Sequence, residues 1–152
     1  MITFSHLKLQ KRRVWQLFAL YCCVLFYIVF FTPNRFKGSD YQPNLIPVWQ
    51  TVERIHITGG EHFWPYYIGY WGNIFGNIIL FLPFGFLLNC LYPHKSRQLI
   101  LLCGFLTSVS IELLQLLLQI GVCDIDDVIL NTLGTFCGVY ILKWSRLRVY
   151  RG

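Results

Sequence analysis

Four apolar stretches constrain this chain more than anything else in it. They run at about Val14–Phe31, Trp71–Tyr92, Gln98–Ile120 and Val128–Trp144. At about 1.5 Å of rise per residue each spans roughly 25–35 Å, close to the ~30 Å thickness of a hydrocarbon core. In lipid every backbone polar group must be satisfied within the segment, so each stretch is expected to be a helix. The expected fold class is all-α: an integral membrane bundle of four transmembrane helices. With 55% hydrophobic and only 13% charged residues among 152, an ordinary soluble domain is excluded.

The net charge of +6 is distributed as a topology signal. Lys8, Lys11, Arg12 and Arg13 precede the first stretch, and His94, Lys95 and Arg97 separate the second from the third. Lys143, Arg146, Arg148 and Arg151 follow the fourth. With four crossings these clusters share one side, whereas the other holds Arg35, Lys37 and Arg54. The positive-inside rule then places both termini in the cytoplasm of a multi-pass protein of the cell membrane. Nucleic acid is not an expected partner; membrane lipids are, with some attraction of the basic residues to anionic head groups. The first apolar run exceeds a signal-peptide core, and Thr32-Pro33-Asn34-Arg35 lacks a small-x-small cleavage pattern, so that helix is read as retained.

The chain divides into a basic start with the first helix (1–31), an aromatic-rich extracytoplasmic loop (32–70) and a core of three helices (71–152). The loop carries Trp49, Trp64, Tyr66, Tyr67 and Tyr70, rings suited to a membrane interface. Pro47 can open a short helix with Val48, Val52 and Ile55 on one face. His56, Glu61 and His62 do not have a recognised ligand spacing, and they read as loop-surface residues rather than a metal site. Five of the six cysteines lie within the spans and read as small apolar residues; Cys123 falls in a loop without an obvious partner. Pro83 is expected to kink the second helix. Gly72 with Gly76, and Gly134 with Gly138, form small-xxx-small pairs that favour close helix packing.

Polar residues inside the apolar stretches are the candidate site. Ser108, Glu112, Gln115 and Gln119 step by four, three and four, along one helix face. Asp127, Asn131, Gly134 and Gly138 share a face of the fourth helix, and Asn73 and Asn77 lie one turn apart on the second. Counting depth from the outer boundary puts Asn73, Asn77, Gln115 and Asn131 within roughly 10 Å of it and Glu112 about 12 Å in. The expectation is an outward-opening polar basin of Asn73, Asn77, Glu112, Gln115, Asp124, Asp126, Asp127 and Asn131. Glu112 would form its floor and the Asp cluster its rim.

Several chemistries fit these residues. The amides can simply bond neighbouring helices, and Asp126 or Asp127 can cap the fourth helix. The carboxylates are hard oxygen donors of the type that hold cations. Glu112 and Asp127 are the candidate acid and base of a membrane enzyme acting on a lipid-linked substrate. A proton- or cation-coupled transporter is a further alternative, requiring a homo-oligomer. The leading expectation is binding of the polar part of a lipid, an envelope intermediate or a lipophilic antibiotic, with no resident metal or cofactor. No Gly-rich phosphate loop or nucleophile elbow appears, and the histidines do not fit a catalytic triad.

Four blocks resemble the VanZ-like family of small bacterial membrane proteins. They are Asn44-Leu45-Ile46-Pro47; Gly76-Asn77-Ile78-Ile79-Leu80-Phe81-Leu82-Pro83-Phe84-Gly85; Glu112-Leu113-Leu114-Gln115; and Asp124-Ile125-Asp126-Asp127 with Asn131-Thr132-Leu133-Gly134. They come in the family's order over Asn44 to about Trp144, and the first helix matches only as an apolar segment. Many relatives carry an Arg shortly before the acid cluster, where this chain has Gly121-Val122-Cys123. The resemblance implies a multi-pass membrane protein with a role in the cell envelope. The family's namesake is associated with lowered susceptibility to the glycopeptide teicoplanin, so a glycopeptide joins the expected partners.

Overall fold

The computed structural model describes residues 4–31, 46, 63–121 and 123–144, with backbone alone for 4–9, 63–70 and 142–144. The readings on Pro47 and its helix face, on His56, Glu61 and His62, and on the loop aromatics lie outside the described side chains. Among the described residues are four helices: α1 Phe4–Phe31, α2 Phe63–Leu91, α3 Arg97–Leu117 and α4 Ile125–Trp144.

Each expected stretch is helical, but the ends differ for physical reasons. Hydropathy marks where a helix can meet lipid, not where it starts. α1 therefore runs back through the basic residues to Phe4, and α2 takes in 63–70, which composition had assigned to the loop. α2 runs unbroken through Pro83. Ser96 caps α3 by accepting from the Leu99 amide at 3.3 Å. α3 stops at Leu117 rather than Ile120 because Gln119 takes a φ of 55°. The Ile120 amide then bonds the Gln115 carbonyl at 3.1 Å and the Gln119 amide bonds that of Leu116 at 3.2 Å, a Schellman closure. Gln119 thus leaves the helix face shared by Ser108, Glu112 and Gln115.

The helices alternate in direction. Trp15 meets Tyr92 edge-on at 6.1 Å and Phe18 meets Phe84 at 5.9 Å, so α1 and α2 are antiparallel. Arg97 at the start of α3 stands 5.0 Å over the Tyr140 ring near the end of α4. One end of the bundle therefore gathers Lys11, Arg12, Arg13, His94, Lys95 and Arg97, and is called the basic end below. Asp124, Asp126 and Asp127 mark the opposite, acidic end.

The tightest packing joins α2 and α4, which run parallel. Gly134 and Gly138 make it possible. A methyl on Gly138 would run into the Leu82 carbonyl oxygen and stand 2.8 Å from the Phe86 nitrogen. One on Gly134 would run into the Ile78 carbonyl oxygen. The other pair behaves differently: a methyl on Gly72 or Gly76 would meet nothing within 4 Å. α1 closes the bundle through Leu25 and Val29, packed on Phe81 and Phe84. Tyr21 Oη donates to the Leu80 carbonyl at 2.8 Å, a tie from α1 to the backbone of α2.

Among the described residues three helices hold segments long and apolar enough to cross a membrane: Gln10–Phe31, Trp71–Leu91 and Arg97–Leu117. Their outward faces are apolar, with Leu17, Leu20, Phe26, Leu102, Leu106 and Leu113 all exposed. Water would penalise such a surface and lipid would not. These are the marks of a membrane protein.

Candidate functional site

At the acidic end the N-terminus of α4 meets the last turns of α3. α4 starts where it does because Asp124 caps it. The Asp124 carboxylate accepts from the Asp126 amide at 2.9 Å, and its carbonyl accepts from Val128 at 3.4 Å. The sequence pointed to Asp126 or Asp127 as the cap. Both instead lie in the first turn, where negative charge suits the helix dipole.

A capping box normally has the third helical residue return to the cap's own N–H. Here Glu112 of α3 takes that place: its Oε2 accepts from the Asp124 amide at 2.9 Å. The third helical residue, Asp127, reaches α2 instead. Its Oδ1 accepts from Asn77 Nδ2 at 2.5 Å and Asn73 Nδ2 at 3.1 Å. Asn77 Nδ2 also lies 3.4 Å from Asn73 Oδ1. Asn73 is exposed and Asn77 buried, so this cluster runs from the surface inward. Hydrogen bonds to an ionised acceptor are roughly twice as strong as neutral ones, which makes Asp127 a tie between α2 and α4.

One turn further in, Asn131 Nδ2 donates to Ser108 Oγ at 2.9 Å, joining α4 to α3. Asn131 is 4% exposed, and its Oδ1 has no hydrogen-bond partner. Below it Thr135 Oγ1 donates to the backbone carbonyl of Asn131 at 3.0 Å. Thr135 is fully buried because Gly85 and Gly104 leave room for it on either side.

The eight expected site residues therefore fall into distinct groups. Asn73, Asn77 and Asp127 form one cluster, Glu112 with Asp124 and Asp126 a second, and Asn131 pairs with Ser108 in a third. Gln115 stands apart: it is 1% exposed and its Nε2 donates to the Val29 carbonyl of α1 at 3.1 Å. Sequence reasoning missed Thr135, although its place one turn beyond Asn131 and next to Gly134 was a usable signal. It also left Asn89 without a role; its Nδ2 donates to the Val139 carbonyl at 3.1 Å, a second tie between α2 and α4.

Cys123 lies between α3 and α4, next to the carboxylates. Burial pushes its thiol up, and the nearby Glu112 and Asp124 charges push it further in the same direction. His94 stands at the basic end, so among the described residues no histidine accompanies these carboxylates. The arrangement is suited to accepting hydrogen bonds.

The family model VanZ/LLP1 matches residues 18–146. The match begins inside α1, so it reaches further towards the N-terminus than the blocks starting at Asn44. The chain is also 30% identical to Protein VanZ of Enterococcus faecium over 131 residues, covering 85% of this chain and 73% of that protein. No solved structure matches. The family match takes in α2, α3, α4 and the acidic end they build, and the chain belongs to the VanZ/LLP1 family.

Proposed function

We propose that the protein resides in the cell membrane, that all four helices cross it with both termini in the cytoplasm, and that the acidic end faces outward. There it binds the polar part of a lipid, an envelope intermediate or a lipophilic glycopeptide such as teicoplanin, and so alters envelope susceptibility. One observation carries the reading. Polar side chains of α2, α3 and α4 converge at a single end, from exposed Asn73 to buried Asn131 with its unsatisfied carbonyl. The gathering of Lys11, Arg12, Arg13, Lys95 and Arg97 at the other end supports the orientation. α4 has 20 residues, about 30 Å, which suffices for a crossing despite Asp126 and Asp127 at its start.

Binding is favoured over acid–base catalysis by what the carboxylates hold. Asp127 Oδ1 accepts from two side-chain amides and Glu112 Oε2 from a backbone N–H. Proton exchange at either group would loosen a helix contact. Cysteine labelling in intact cells tests the orientation, in a background freed of the native cysteines. Asp126→Cys is expected to react with a membrane-impermeant reagent added outside, and Lys95→Cys only after the membrane is opened. The reverse pattern would refute the proposal.

A further inference from the structure

We propose that the Asn131 side-chain carbonyl forms the floor of a subsite for a polyol hydroxyl, of the kind a glycerol or sugar head group carries. The inference rests on the ligand-binding reading above and specifies its chemistry. Asn131 is 4% exposed, with Nδ2 committed to Ser108 Oγ at 2.9 Å and Oδ1 without a partner. A buried acceptor left unpaired calls for a donor. The polar atoms leading to it are also acceptors. Asp127 Oδ1 lies one turn before Asn131 on α4, and Glu112 Oε2 one turn beyond Ser108 on α3. Phosphate and carboxylate oxygens only accept, and would leave Asn131 Oδ1 as it is. A hydroxyl both donates and accepts, so it satisfies the amide in either orientation.

The approach is laid out in graded exposure. Asn73 is open to the surroundings, Asn77 is 7% exposed and Asn131 lies deeper. Beside Asn73 on α2, the Gly72 and Gly76 positions have nothing within 4 Å of where a side chain would begin. Among the described residues nothing stands over this side of the cluster, the side from which a head group would arrive. The source favoured by this geometry is a lipid rather than a free polyol.

The test uses the full-length protein in detergent and reads lipid retention by native mass spectrometry. Phosphatidylglycerol, with free head-group hydroxyls, is compared with phosphatidylethanol, which has the same phosphodiester charge and none. Wild type is expected to retain phosphatidylglycerol about tenfold more tightly, a ratio worth about 1.4 kcal/mol. Asn131→Leu is expected to bring the two to parity. Equal retention by wild type overturns the inference, a result that does not depend on how well the variant folds. Displacement of phosphatidylglycerol by excess glycerol would keep the hydroxyl chemistry but overturn the lipid source. Retention of neither lipid, nor of teicoplanin, would remove the ligand-binding reading itself.

Discussion

Replacing Gly138 with alanine tests the packing that holds the acidic end together. The added methyl would run into the Leu82 carbonyl oxygen and sit 2.8 Å from the Phe86 nitrogen, both backbone atoms that no rotamer change can move. Comfortable separations begin at about 3.5 Å, so α2 and α4 must part by roughly 1.5 Å. Overpacking of this kind costs about 3 kcal/mol. Gly76→Ala is the matched control: it meets nothing within 4 Å and gains up to about 1 kcal/mol of helix propensity. The two variants share that propensity term, so they should differ by about 3 kcal/mol, a factor of about a hundred in the unfolding equilibrium. Equilibrium unfolding in lipid bicelles measures this directly. Parting the helices also draws Asn77 and Asn73 away from Asp127, so ligand retention at the acidic end should fall with stability. If Gly138→Ala proves as stable as Gly76→Ala, the close α2–α4 contact is not as described.

Two further outcomes follow from local geometry. Gln119 holds a φ of 55°, a conformation glycine adopts without strain, so Gln119→Gly should raise stability by about 1 kcal/mol in thermal unfolding; a loss would mean that its side chain contributes more than the strain it carries. The Cys123 thiol is pushed up by burial and then by the Glu112 and Asp124 charges, so its thiolate appears only at higher pH than for an ordinary thiol. Its alkylation rate against pH should be displaced upward, and Glu112→Gln should shift the curve back down; an unshifted curve would refute the placement of Glu112 beside it.

The helices themselves were legible because lipid dictates both their length and their composition. Their ends were set by groups that hydropathy does not register: the Asp124 cap, the left-handed Gln119 and the basic residues that continue α1 as helix. The polar residues were legible as faces of single helices but not as a set of partners. Spacing placed the Asp cluster at the rim, and in the structure Asp127 bonds Asn73 and Asn77. Spacing alone does not say how two faces rotate towards each other. Gln115 turns to α1 for that reason, and Glu112 is committed to the backbone of Asp124 rather than to another side chain. The two glycine pairs read alike in sequence, yet only Gly134 and Gly138 face a neighbouring backbone. A period of four residues names a face, and the partner of that face is decided by the rest of the bundle.

The most direct test of a functional acidic end compares wild type, Glu112→Gln and Asp127→Asn at matched membrane levels in a sensitised host, scoring teicoplanin susceptibility. Wild type is expected to protect, and both variants to lose most of that protection while still inserting. Protection retained by both variants would contradict the account, because the clusters around Glu112 and Asp127 would then be helix ties and nothing more.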